Sequence, residues 1–105
     1  METLERLEAT IAARKSADPD SSYVAKLNAG GLPLMARKLG EEAVETVVAA
    51  LDGSDEELVG ESADLIFHLA VLLSARGLSL SDVMAELDRR EGVSGIAEKN
   101  SRSAQ

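Results

Sequence analysis

The chain contains no cysteine, which removes disulfide staples, thiolate metal sites and thiol nucleophiles and fits a reducing, cytoplasmic setting. Aromatic residues are almost as scarce. Tyr23 and Phe67 make up the whole complement, too few for a stacking platform that would hold single-stranded nucleic acid. Cations are outnumbered, with 11 Lys and Arg against 19 Asp and Glu and a net charge of −8. Nucleic acid and anionic membranes call for the opposite balance, so neither is an expected partner. The strongest apolar run, Leu65 to Leu73, is interrupted by His68 and falls far below the ~18–20 residues that cross a bilayer. The acidic start, Met1-Glu-Thr-Leu-Glu5, lacks the pattern of a signal peptide. At 105 residues the chain suits one domain.

What is present is helical periodicity throughout, with almost no strand-like alternation. Leu4, Leu7 and Ile11 form a first stripe, with Thr3 as the expected N-cap. Residues 16–22 read as a loop, with Pro19 starting a turn. A short helix carrying Tyr23, Val24 and Leu27 is expected to stop at Asn28-Ala-Gly-Gly31. Pro33 then opens a long helix with Met35, Leu39, Ala43, Val44, Val47, Val48 and Leu51 on its apolar side, ending at Asp52-Gly53. Ser54 and Glu57 have the spacing of a capping box. The helix they start runs to Gly77, and Ser79 to Asp82 opens another that ends at Gly92. These elements predict an all-α, antiparallel bundle of about five helices, with residues 1–92 as the domain and 93–105 as a polar, mobile tail.

The acidity is concentrated. Without Glu41, Glu42, Glu45, Glu61 and Asp64, the balance falls to 14 acids against 11 bases. Glu42 and Glu45 are three apart, Glu41 and Glu45 four apart, and Glu61 and Asp64 three apart, so each pair shares one face of its helix. A single such pair is usually a solvated surface, and Arg37 and Lys38, one turn before Glu41 and Glu42, can serve as plain ion partners. Glu45, Glu61 and Asp64 have no Lys or Arg one turn away. An antiparallel turn at Asp52-Gly-Ser54 would let the two pairs face each other. Two carboxylates ~5 Å apart at an effective dielectric of about 20 repel by roughly 3 kcal/mol, and four together cost on the order of 10 kcal/mol unless a cation or protons compensate. Oxygen ligands of this kind suit Mg²⁺, or Mn²⁺, and not zinc.

The runs Lys38-Leu-Gly-Glu-Glu-Ala-Val-Glu-Thr46 and Glu61-Ser-Ala-Asp-Leu-Ile-Phe-His-Leu69, with Arg14-Lys-Ser16 and Ser21-Ser-Tyr-Val24, resemble the all-α nucleotide pyrophosphohydrolases, the MazG-like superfamily, and within it the phosphoribosyl-ATP pyrophosphatases of histidine biosynthesis. The likeness spans about Leu4 to Glu91. It implies Mg²⁺-dependent hydrolysis of phosphoribosyl-ATP to phosphoribosyl-AMP and pyrophosphate. It assigns the metal to Glu42, Glu45, Glu61 and Asp64, and gives Glu41 a second ion or the water to orient. One departure lies near Leu34, where relatives often carry a basic residue that this chain lacks. The related alternative is a house-cleaning nucleoside-triphosphate pyrophosphatase with the same metal core; the unrelated one is a non-enzymatic helical dimerisation module.

Cleaving a triphosphate needs charge neutralisation, in-line positioning and an activated water. The carboxylate that takes the water proton lies among Glu41, Glu42 and Glu45. No P-loop sequence is present. Arg14, Lys15, Arg37 and Lys38 are the candidate phosphate contacts, and Ser22 and Tyr23 the candidate contacts to the rest of the nucleotide, although Tyr23 equally suits a packing role. His68 reads as a satisfied histidine one turn from Asp64. The span Ala63 to Leu73 is apolar around more of the helix than one neighbour covers. A homodimer is therefore expected, with substrate in a groove between subunits.

Overall fold

The computed structural model describes residues 2–103. It consists of α1 (Glu2–Arg14), α2 (Tyr23–Asp52), α3 (Asp55–Ala75), α4 (Leu80–Arg90) and α5 (Gly95–Ser103), with no strand among the described residues. The α2–α3 hairpin dominates, closed by the two residues Gly53 and Ser54, and α1 lies against α3 and more lightly against α2. Ile11, Val24, Leu27, Met35, Ala70, Val71 and Leu80 form the buried core, so the packing centre lies toward the N-terminal part of α2 and the C-terminal part of α3. The acid-bearing stretch lies toward the hairpin turn, away from that core.

Local signals account for the helix ends. The Ser54 hydroxyl accepts from the Glu57 N–H, and Glu57 accepts from the Ser54 N–H. Ser79 and Asp82 repeat the arrangement at α4. A Glu8 carboxylate oxygen on α1 also accepts from the Leu80 N–H at 2.9 Å, pinning α4 to α1. At the end of α3, Leu78 N–H donates to the Leu73 carbonyl and Gly77 N–H to the Ser74 carbonyl. This double bond pattern needs a left-handed residue, and Gly77 supplies it at φ 73°. In the 16–22 loop, Ser21 N–H donates to the Asp18 carbonyl across Pro19.

Two expectations change. Thr3 does not cap α1, because the helix already runs from Glu2; its hydroxyl instead accepts from Arg6. The stop expected at residues 28–31 is a kink inside α2. Only Gly31 leaves helical geometry, at φ 77° and ψ −176°, a conformation that excludes a Cβ, and Pro33 sits in the first turn beyond it. Within the polar segment after Gly92 the structure adds α5, whose start is capped by Ser94 accepting from the Ala97 N–H. The polar composition hid that cap.

Among the described residues, α3 is the one helix whose length and composition would also suit a membrane span, a property the short run Leu65 to Leu73, interrupted by His68, did not reveal. Its buried His68, Ala70 and Val71 lie within the folded chain.

Candidate metal centre

The i, i+3 spacing sets Glu42 and Glu45 on one face of α2, and the hairpin brings Glu61 of α3 to them. Carboxylate oxygens of Glu42, Glu45 and Glu61 all lie within 4.8 Å of one another. Glu42 and Glu61 are half-buried, and each has one oxygen, Oε2, that is inaccessible and without a hydrogen-bond partner. Burial pushes the Glu42 carboxyl up to about 7, reinforced by the hydrogen bond and charge of Glu45 and the charges of Asp64 and Glu61. Glu61 is raised as well, first by desolvation, then by Glu45 and Asp64. Among the described residues, no ion pair reaches Glu42, Glu45 or Glu61.

This donor set fits a hard dication. Opposed ligands of an octahedral Mg²⁺ stand roughly 4.2 Å apart, twice a metal–oxygen distance of about 2.1 Å. A cation between the three groups would satisfy both orphaned oxygens and offset the desolvation and mutual repulsion that raise Glu42 and Glu61. All three ligands are oxygen, which disfavours zinc.

Asp64 is exposed and stands outside the triad, close enough for its charge to act on Glu42 and Glu61. Glu41 faces elsewhere, with its carboxylate 3.5 Å from both Arg37 and Lys38. Those two cations therefore lie one turn from the cluster on the same helix, held only by exposed ion pairs of small worth. Val44, Glu45, Val48, Asp52, Glu57 and Glu61 line an open groove of about 290 Å³ that runs from the triad toward the hairpin turn.

The remaining candidates lie further along α3. The Tyr23 hydroxyl is 2.9 Å from Nε2 of His68. The Tyr23 ring stacks on Phe67 at 6.0 Å between centroids, and half of its surface is open. His68 is buried, and its Nδ1 is 2.8 Å from the Asp64 carbonyl. Ser22 is buried too, its hydroxyl accepting from the Ala25 N–H as the N-cap of α2, so it offers no open face to a ligand. Lys15 donates to the Ser74 carbonyl at 3.3 Å, at the negative end of α3. Ser74 is 13 residues beyond Glu61, which at 1.5 Å per residue puts Lys15 about 20 Å along the helix from the cluster. Arg14 is exposed at the end of α1 beside it. Leu34, near which the basic residue of relatives is missing, packs against the core.

Two residues carry weight that spacing did not signal. Thr46 joins α2 to α3 beside the triad, and Glu8 holds α4. Both act through cross-helix contacts, which no periodicity reports.

The family model for phosphoribosyl-ATP pyrophosphohydrolase matches residues 4–91. The phosphoribosyl-ATP pyrophosphatase of Erythrobacter litoralis is 76% identical over 102 residues, covering 97% of this chain and 98% of that protein. Its namesake in Novosphingobium aromaticivorans is 67% identical over 102 residues, 97% and 95% of the two chains. That of Dinoroseobacter shibae is 58% identical over 102 residues, 97% and 100%.

Proposed function

The chain belongs to the phosphoribosyl-ATP pyrophosphohydrolase family, and from that premise we propose that it hydrolyses phosphoribosyl-ATP to phosphoribosyl-AMP and pyrophosphate, an early step of histidine biosynthesis in the cytoplasm. The observation that carries the reading is the pair of buried, unpartnered carboxylate oxygens on Glu42 and Glu61 facing the Glu45 carboxylate.

Glu42, Glu45 and Glu61, with Asp64 beside them, would hold Mg²⁺ or Mn²⁺. Bound there, the ion neutralises phosphate charge and polarises the phosphoryl oxygens. Water adds to one of the phosphorus atoms flanking the α–β bridge as the bridging oxygen departs with the other fragment. Glu42 or Glu45 takes the water proton through an oxygen not used for the ion. Glu41, turned toward Arg37 and Lys38, keeps those two cations beside the cluster until phosphate displaces it.

The substrate is anionic at both ends, with the triphosphate at one and the phosphate of the added ribose at the other. We assign the triphosphate to the acid cluster with Arg37 and Lys38, and the second phosphate to Arg14 and Lys15. Tyr23 contacts the region between, on its open ring face. Ser22 supports that segment as its helix cap and makes no direct substrate contact.

The homodimer is part of the proposal. Val44, Val47, Val48 and Leu51 on α2 and Val59 on α3 are all more than half exposed, Leu51 reaching 84%. A solvated monomer has no use for so continuous an apolar face. It flanks the acid groove, so a second copy would roof the site. Neither nucleic acid nor membrane is assigned as a partner.

Pyrophosphate release, with and without Mg²⁺, from phosphoribosyl-ATP and from deoxynucleoside triphosphates tests the reading. Turnover is expected only with metal, with preference for phosphoribosyl-ATP, and Glu45→Ala, which removes a proposed ligand, is expected to lose more than the roughly 10–100-fold that loss of a ligand's outer partner costs. Preference for deoxynucleotides would support the house-cleaning alternative. Absence of any metal response would leave only a helical module.

A further inference from the structure

Thr46 follows Glu45 directly and lies one turn beyond Glu42. Its hydroxyl oxygen is 2.8 Å from the Glu42 carbonyl and 3.2 Å from the Glu61 carbonyl. The first contact is common, since a helical threonine often donates to the carbonyl four residues back. The second crosses to the neighbouring helix, and its acceptor belongs to the only α3 residue in the triad. Thr46 thus touches the backbones of the two residues whose carboxylates each have a buried, unpartnered oxygen.

We propose that Thr46 is a positioning residue for the carboxylate cluster: its hydroxyl, shared between the Glu42 and Glu61 carbonyls, sets the approach of α2 to α3 and so the separation of the two carboxylates that must grip one divalent cation. The proposal rests on the reading of the cluster as a metal site. Thr46 is half-buried, and its branched Cβ restricts the rotamers open to it. A hydroxyl has a single proton, so the two carbonyls share one donor in a three-centre bond. Each carbonyl is also four residues before an amide of its own helix, that of Thr46 or Leu65, and accepts there first. Removing the hydroxyl therefore orphans no backbone group. The fold loses little, while the cluster loses the tie that fixes its width. That asymmetry separates positioning from simple support.

The test titrates Mg²⁺ by calorimetry into metal-free wild type, Thr46→Val and Thr46→Ser, with thermal melts of all three without metal. Val keeps the shape and lacks the proton donor; Ser keeps the donor and lacks the methyl. The expected result is Mg²⁺ affinity weakened about tenfold in Thr46→Val, the scale of losing an outer partner of metal ligands. Metal-free melting should move little, and Thr46→Ser should bind close to wild type. Unchanged affinity in Thr46→Val overturns the proposal, as does an equal loss in Thr46→Ser, which would assign the effect to methyl packing. A metal-free Thr46→Val that unfolds or melts far below wild type overturns it in favour of a general structural role. If wild type itself takes up no Mg²⁺, the metal reading of the cluster fails and the proposal falls with it. Metal uptake that is equal in wild type and Thr46→Val sinks the Thr46 role alone.

Discussion

The Tyr23 phenol and the His68 imidazole meet at 2.9 Å across the α2–α3 interface, and the other side of the ring decides which group donates. His68 Nδ1 faces the Asp64 carbonyl at 2.8 Å. A carbonyl only accepts, so Nδ1 carries hydrogen, and in the neutral ring Nε2 is left to accept from the Tyr23 hydroxyl. The buried histidine is fully satisfied and ties the exposed ring of Tyr23 to the helix that carries Asp64.

Tyr23→Phe keeps the stack on Phe67 and removes the only hydroxyl donor to Nε2. Leaving that buried nitrogen unpaired costs about 1–3 kcal/mol, read as a lower urea midpoint at an unchanged slope. A change below about 0.5 kcal/mol, under the usual net worth of a hydrogen bond, would mean that water replaces the hydroxyl.

The raised carboxyls make the metal-free protein sensitive to alkali. Glu42 binds its proton in the folded state up to about pH 7, whereas the unfolded chain releases it near its ordinary value. The native state therefore holds more protons across this window, and stability falls as pH rises through it. Glu86 works in the opposite direction and lower on the scale: hydrogen bonds from Arg89 and Arg90 hold it down at about 2, so its contribution is lost as pH falls from about 4.5 toward 2. Melting without metal should fall between about pH 4.5 and 7, and Glu42→Gln should flatten the fall. Saturating Mg²⁺ should also flatten it in wild type but not in Glu42→Gln. A wild-type melting point that is level or rising over this range, without metal, contradicts the account.

Leu51→Glu should convert the proposed dimer to monomer while leaving the helical signal intact, because Leu51 is the most exposed of the large apolar side chains on α2. Losing the burial of one such side chain per subunit, about 1.5–3 kcal/mol each, weakens association by roughly a hundredfold or more. Sedimentation at micromolar concentration reads this directly. An undisturbed dimer would place the interface on another face.

Two glycines of α2 should respond with opposite signs. Gly31→Ala forces a Cβ into a region open essentially to glycine alone and should cost about 1–3 kcal/mol. Gly40 lies inside the helix with open space where a Cβ would project, so Gly40→Ala should stabilise by roughly 0.5–1 kcal/mol. Chemical denaturation of both variants checks the pair, and a shared sign would refute the assignment of the kink to Gly31.

The sequence alone determined the all-helical class, the capping box at Ser54, the helix start at Ser79 and the shared faces of the acid pairs, because these follow from 3.6-residue periodicity and from hydrogen bonds between residues three or four apart. It also marked a break before Pro33, though not that Gly31 would bend a continuous element. Only the tertiary structure decided that Glu61 joins Glu42 and Glu45 while Asp64 stands beside them, that Glu41 turns to Arg37 and Lys38, that Ser22 is buried, and that Thr46 bridges two helices. Those outcomes depend on the axial register and rotation of α3 against α2. Packing of Val24, Leu27, Met35, Ala70 and Val71 sets that register, and its contacts join residues distant in the chain that no local pattern can pair.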